Sequence, residues 1–155
     1  MPNFYHIKRI SEVHHLFNLA QPLHPLITII REWPKIDFDF ENIKMTSDLY
    51  LLGMKGNVGG SFQYGRNSYD YEAGTLTFIA PNQVASFSGD FTKADVGGWN
   101  ILFHPDLIRK SELGKTIKNY SFFEYDTNEA LHVSNKEKKV LSDLVERIET
   151  ELEQN

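Results

Sequence analysis

Between Leu26 and His104 the chain is broken into short runs of strand character, set apart every few positions by turn-forming residues. That cadence leaves few folds open. The runs are LITIIREW, DLYLLGMKG, GGSFQYG, SYDYEAG, GTLTFIAP, VASFSGDF and GGWNILF. Gly56-Asn57, Gly59-Gly60, Gly65-Arg66-Asn67, Gly74, Asn82, Gly89-Asp90 and Gly97-Gly98 punctuate them. Within the runs, side chains alternate. Leu76 and Phe78 fall on one face, Thr75 and Thr77 on the other, and Tyr69 and Tyr71 pair likewise. Short strands at this spacing build a sandwich or barrel rather than βαβ units. The expected fold is mainly β.

Helical signals flank this region. Ser11 is placed to cap a short helix whose Val13, Leu16 and Phe17 share one face, and Pro22 and Pro25 end it. After the strands, Pro105 suits a first helical position and Asp106 the free N–H groups of a first turn. Gly114 then suggests two short helices rather than one. The last segment is the clearest helix. Ser134 and Glu137 form a capping box, Asp143 and Arg147 an i,i+4 pair, and Val140, Leu141, Leu144, Val145, Ile148 and Leu152 a continuous apolar stripe. Two fates fit that stripe: packing on the chain's own strands, or pairing with the same helix of a second copy. Glu149, Glu151 and Glu153 crowd its C-terminal end, with no glycine cap. The expectation is that the helix continues and that this is the front part of a longer protein.

Composition narrows the function classes. With 155 residues the chain suits a single domain, and 41% hydrophobic and 13% aromatic residues supply a core. A net charge of −5 disfavours nucleic-acid binding by this chain alone. The absence of cysteine excludes disulfides, thiolate catalysis and zinc fingers. No apolar run has signal-peptide or membrane-span length, so no membrane partner and a cytoplasmic location are expected.

Catalytic patterns are thin. The histidines are His6, His14, His15, His24, His104 and His132, and none lies between Pro25 and Phe103. A metal site on strands needs two or three inward imidazoles, so neither a metal nor any other cofactor is expected. There is no G-x-S-x-G elbow, phosphate loop or dinucleotide fingerprint. Asp37/Asp39 and Asp70/Glu72 read as solvated strand faces rather than as a carboxylate dyad. No catalytic residue is assigned, and the chain is expected not to be an enzyme. Phe62, Tyr64, Trp99 and Phe103 could stack on a ligand or form plain core.

Several stretches resemble a known family. YEAGTLTFIAPNQVASF is similar to the second conserved motif of the cupin fold, which in its metal-binding form reads G-x5-P-x-G-x2-H. Gly74 stands at the first glycine and Ala80 at the proline, with Pro81 one place late. Asn82 stands at the second glycine and Ala85 at the histidine. Asparagine is the next best residue where a turn needs positive φ, whereas alanine removes the metal ligand. ISEVHHLFNLAQPLHPLITII, FQYGRNSYDYEAGTLTFIAPNQV, GWNILFHPDLIRKSELGKTIKNYSFFEYD and EALHVSNKEKKVLSDLVERI resemble, in order, the N-terminal half of AraC-type transcription regulators of the kind found in Bacteroidetes.

The resemblance implies one cupin-like, jelly-roll-type regulatory domain. An arm and short helix would occupy 1–22, the barrel 23–104 and a helical part 105–155. The helix-turn-helix DNA-binding domain of the family is absent here, so DNA would be reached only through that missing part. It implies a homodimer, with Leu141, Leu144, Val145, Ile148 and Leu152 on the pairing helix, and an unidentified small-molecule effector inside the barrel. The matching barrel positions are Lys55, Ala85, Phe87, Gly98 and Asn100, and Phe4 and Tyr5 lie in an arm that closes the pocket. Lys55, Phe87 and Asn100 from that set, together with Trp99 for its ring, are the expected ligand-binding residues. A metal-independent cupin isomerase or epimerase, and a ligand-free dimerisation scaffold, are the alternatives.

Overall fold

A computed structural model describes residues 3–31, 43–54, 61–64, 67–70, 75–88, 98–120 and 131–154. The strands are β1 (Asn3–Ile7), β2 (Ile27–Ile30), β3 (Ile43–Ser47), β4 (Tyr50–Met54), β5 (Ser61–Tyr64), β6 (Asn67–Asp70), β7 (Thr75–Ile79), β8 (Ala85–Ser88), β9 (Trp99–Phe103) and β10 (Leu131–His132). The helices are α1 (Ile10–Leu16), α2 (Glu112–Thr116) and α3 (Asn135–Gln154), with 3-10 turns at Pro105–Leu107 and Ile117–Asn119. Each strand run read from the sequence holds a strand. The expectation missed β1, β3 and β10.

The strands form two five-stranded sheets, ordered β1-β3-β8-β5-β6 and β10-β7-β4-β9-β2. β1 pairs parallel with β3, and the other described ladders are antiparallel. Two points correct the expected mainly-β barrel. No ladder joins the two sheets among the described residues, so they stand as separate sheets rather than one closed barrel. Helix is also a major component: α3 alone has 20 residues, and among the described residues no strand exceeds five.

The reason lies in the second sheet, which is largely apolar on both faces. Register sets Tyr50, Leu52 and Met54 of β4 against Phe103, Ile101 and Trp99 of β9 on one face, and Leu51 and Gly53 against Leu102 and Asn100 on the other. On β7, Leu76 and Phe78 join the first face, while Thr77 and Ile79 join the second. The second face meets the other sheet: Ile30 and Leu102 cluster with Ile7, Met45, Leu49 and α1's Ile10 and Val13. The first face turns outward and is covered by helix. Met54, Leu76, Phe78 and Trp99 pack with Val145 of α3, and Tyr50 and Phe103 with Ile117. The Tyr50 and Phe103 rings stack in register, 5.1 Å between centroids.

Local chemistry follows from this packing. α1 starts at Ile10 with Arg9 as N-cap and no side-chain cap, so Ser11 lies inside the helix rather than capping it. The burial of Ile10 and Val13 decides the start. Pro105 does open a turn, but the His104 Nδ1 accepts the Asp106 N–H at 3.0 Å, and Asp106 pairs instead with Arg109. Gly114 falls within α2. A Cβ there would lie 2.0 Å from the Ile108 carbonyl oxygen, so only glycine fits. On α3, Asp143 pairs with Lys139 at 3.5 Å, one turn earlier than the expected Arg147.

The turn after β7 is knit tightly. Asn82 has φ 67°, and its N–H donates to the Ser47 carbonyl at 2.7 Å. The Ala80 N–H donates to the buried Gln83 Oε1, also at 2.7 Å. Asn82→Ala should destabilise the fold by about 1–2 kcal/mol, because a Cβ without a compensating side-chain amide is strained at that φ. Asn82→Gly should be tolerated. Urea unfolding of both variants decides it, and equal losses would contradict the turn argument.

The capping box on α3 forms as expected. Glu137 N–H donates to Ser134 Oγ at 3.2 Å, and Ser134 N–H to Glu137 Oε1 at 3.0 Å. The Ser134 backbone N–H, and then its hydroxyl, hold the Glu137 carboxyl below its ordinary pKa of 4.5. A depressed folded pKa means that the box stabilises α3 above about pH 4.5 and is lost as pH falls through the folded value. Glu137→Gln should flatten that part of an acid titration followed by far-UV circular dichroism. A titration identical to wild type would contradict it.

Candidate functional site

Three residues come together on the inner face of the second sheet. Thr77 of β7, Gly53 of β4 and Asn100 of β9 lie side by side in register, with Ile30 of β2 next in the row. A Cβ on Gly53 would sit 2.7 Å from Asn100 Oδ1 and 3.1 Å from Thr77 Oγ1. The glycine thus leaves room for two polar tips to converge above it. Both are half-buried, and among the described residues no side-chain hydrogen bond engages either. The row is uncharged. It offers an amide with donor and acceptor and a hydroxyl with both, which suits a neutral, hydroxyl- or amide-bearing ligand. The next row, Ile79–Leu51–Leu102–Thr28, is mostly apolar. Its one polar member, Thr28, is buried and hydrogen-bonded to His14 Nε2 at 2.8 Å, while His14 Nδ1 lies 2.6 Å from the Ala20 carbonyl oxygen. That histidine fastens α1 to the sheet.

Of the four expected ligand residues, Phe87, Trp99 and Asn100 lie on described strands, and they do not share one face of one sheet. Asn100 lies on the inner face. Trp99, its neighbour, faces the opposite way, 1% exposed under α3, so it is core rather than ligand contact. Successive strand residues point to opposite faces, so the two could not both line one pocket. Phe103 shares the outer face with Trp99. Phe87 lies on β8 in register with Phe62 of β5, and Ala85 stands opposite Met45 and Tyr64. Gly98 is buried just before β9. Lys55, Asp37, Asp39 and Glu72 fall outside the described residues. Phe4 and Tyr5 lie on β1, an edge strand, and Phe4 is 68% exposed, so this residue is no cover for the interior. Reasoning from sequence missed Thr77 and Gly53. The signal was the glycine inside LLGMK, since glycine within a strand marks a close approach.

His6, His14, His24 and His104 have structural hydrogen-bond partners. His6 Nδ1 lies 2.7 Å from Thr46 Oγ1 and Nε2 2.9 Å from Asp48 Oδ1, which fastens β1 to β3. Among the described residues no three histidine, aspartate or glutamate side chains gather as metal ligands, and no helix is long and apolar enough to cross a membrane.

On the outer face α3 divides its stripe. Val145 is buried and Leu141, Ile148 and Leu152 are half-buried, whereas Val140 and Leu144 are 53% and 47% exposed. Val145 is therefore corrected from pairing helix to own core. Leu144 borders an open groove whose opposite wall holds Leu23, Ile27 and Leu107. The helix is also tied to β2 by Arg31. Its Nε donates to both Glu149 oxygens at 3.1 and 2.9 Å, and its Nη2 to Oε1 at 2.5 Å. The Glu149 hydrogen bond raises the Arg31 pKa above its ordinary value, against the effect of burial and aided by the Glu149 and Glu146 charges. Beneath α3, Trp99 Nε1 is buried without a hydrogen-bond partner, which costs about 1–3 kcal/mol.

No protein-family model matches the chain, and no curated protein matches it.

Gly53→Ala should push Asn100 off the row and cost about 1–3 kcal/mol through overpacking. The Asn100 side-chain amide resonances should shift in a nitrogen–proton correlation spectrum. If they stay where they are, Asn100 does not lie over Gly53.

Proposed function

We propose that this chain is the effector-sensing and dimerisation domain of an AraC-type, DNA-binding transcription regulator, built as a cupin-like shell and acting in the cytoplasm without catalysis. One observation carries the reading: a single sheet presents an uncharged polar row to the interior and, on its other face, a 20-residue helix with apolar side chains still exposed. Ligand chemistry and pairing surface thus sit on two faces of the same element. The ordered resemblance of the sequence segments supports the same class, with DNA contact assigned to a separate helix-turn-helix domain of the full regulator.

The effector fits the row as a small neutral molecule with hydroxyl or amide groups, held by Asn100 and Thr77. No charged group stands among these residues to fix a carboxylate or phosphate. The pairing partner is a second copy through α3. Lys136, Lys138 and Lys139 lie near its start, and Glu146, Glu149, Glu151 and Glu153 near its end. An antiparallel pair sets each basic half against an acidic half, as an isologous interface requires. Val140 and Leu144 supply the apolar contact.

Light scattering after size exclusion at several concentrations should give a dimer for the wild type and a monomer for Leu144→Asp. A wild-type monomer at high concentration would end the pairing part of the reading. A thermal-shift screen of neutral monosaccharides, polyols and amides should find a stabiliser whose effect is lost in Asn100→Ala. Stabilisation undiminished in that variant would place the ligand elsewhere.

A further inference from the structure

The Arg31–Glu149 pair occupies an unusual junction. β2 sends Ile27 and Ile29 to the outer face of the second sheet, and Arg31 follows in the same alternation, which brings it under α3. The residue between, Ile30, points inward and pairs in register with Asn100. One strand end therefore touches the polar row on one side and the helix on the other, one peptide bond apart.

We propose that the Arg31–Glu149 pair is a releasable clasp that sets whether the C-terminal half of α3 lies on the second sheet. The contacts around it make docking a close balance. Val145 is the one fully buried side chain among the described residues of the helix. Beyond it, Ile148 and Leu152 are only half-buried, and Thr150, Glu151, Glu153 and Gln154 are exposed. The forked hydrogen bonds from Arg31 thus hold a segment with little apolar anchorage. Opposing them, the Trp99 N–H, in the cluster that Val145 of α3 completes, is buried with no hydrogen-bond partner, a penalty relieved when water reaches the indole. A half-exposed ion pair is modest by itself, yet modest terms decide a balance of this kind. The inference deepens the functional reading and rests on it only for the consequence: displacement of β2 at the Ile30–Asn100 contact would loosen the clasp and alter the surface α3 offers to a second copy.

The test uses Trp99 as its reporter. Trp33→Phe leaves it the sole tryptophan, since the chain has two. In that background, Arg31→Gln should raise acrylamide quenching of Trp99. It should also speed amide exchange across 145–154 by about tenfold, the scale of losing charge-assisted hydrogen bonds in a partly screened pair. Exchange in β4 should stay unchanged. Arg31→Lys keeps the charge without the fork and should give a smaller change in the same segment. The double swap Arg31→Glu with Glu149→Arg should restore slow exchange, and Lys139→Gln, which breaks an exposed pair on the same helix, should leave Trp99 shielded. Unchanged quenching and exchange in Arg31→Gln would overturn the clasp. So would acceleration by the same factor in β4, which marks general destabilisation. Light scattering of the same samples separates the two ideas. A monomer whose helix is freed by Arg31→Gln removes the pairing reading and keeps the clasp, whereas a dimer whose helix is not freed removes the clasp alone.

Discussion

The architecture depends on a sheet that cannot be left bare on either side. β4 and β9 carry Tyr50, Leu52, Met54, Trp99, Ile101 and Phe103 outward and Leu51 and Leu102 inward. Burying each fully enclosed large side chain contributes about 1.5–3 kcal/mol, so exposure of either face would remove much of the folding drive. An antiparallel sheet often keeps one face wet. This one demands a cover on each side. The first sheet and α1 supply the inner cover, and α3 with the segment around Ile117 supplies the outer. The helical share of the fold follows from that demand.

The same alternation separates chemistry from support. Trp99 and Asn100 are adjacent, yet one is core under a helix and the other reaches toward Thr77 over a glycine. A slip of one residue in β9 would exchange them and bury the amide under α3. Gly53 is as constrained as the large residues around it: its missing side chain is the space that the Asn100 and Thr77 tips border. An inner face otherwise apolar thereby acquires one uncharged polar row.

Much of this was legible in the sequence, and the failures have physical causes. Strand runs with glycine and asparagine turns are local signals, and every such run holds a strand. So are the capping box and the positive φ at Asn82, which rest on neighbouring residues. β1 and β3 escaped notice because NFYHI and IKMTS gain their pairing from each other across some forty residues, a tertiary fact. The site was harder. Resemblance picked Asn100, which the register places on the inner face, whereas Trp99 was chosen for its ring rather than its parity on the strand. Gly53 and Thr77 become partners of Asn100 only once three strands are in register. Arg31 and Glu149 lie 118 positions apart, and no sequence pattern joins them.

The terminal helix shows why a stripe of apolar residues underdetermines its use. Val140, Leu141, Leu144, Val145, Ile148 and Leu152 look continuous on a helical wheel, yet the sheet takes Leu141 and Val145 and leaves Val140 and Leu144 outside. A helix of roughly 100° apolar width can satisfy one flat sheet, and any further width must find a second surface or remain in water. Here the buried strip and the exposed strip lie on one helix. Rotation that buried the exposed strip on the sheet would uncover Val145, so under the proposed pairing a partner that bound a rotated or lifted helix would link its own hold to the helix's hold on the sheet. That linkage needs no wire through the protein. It follows from two apolar strips on one helix and a buried indole N–H that gains from release.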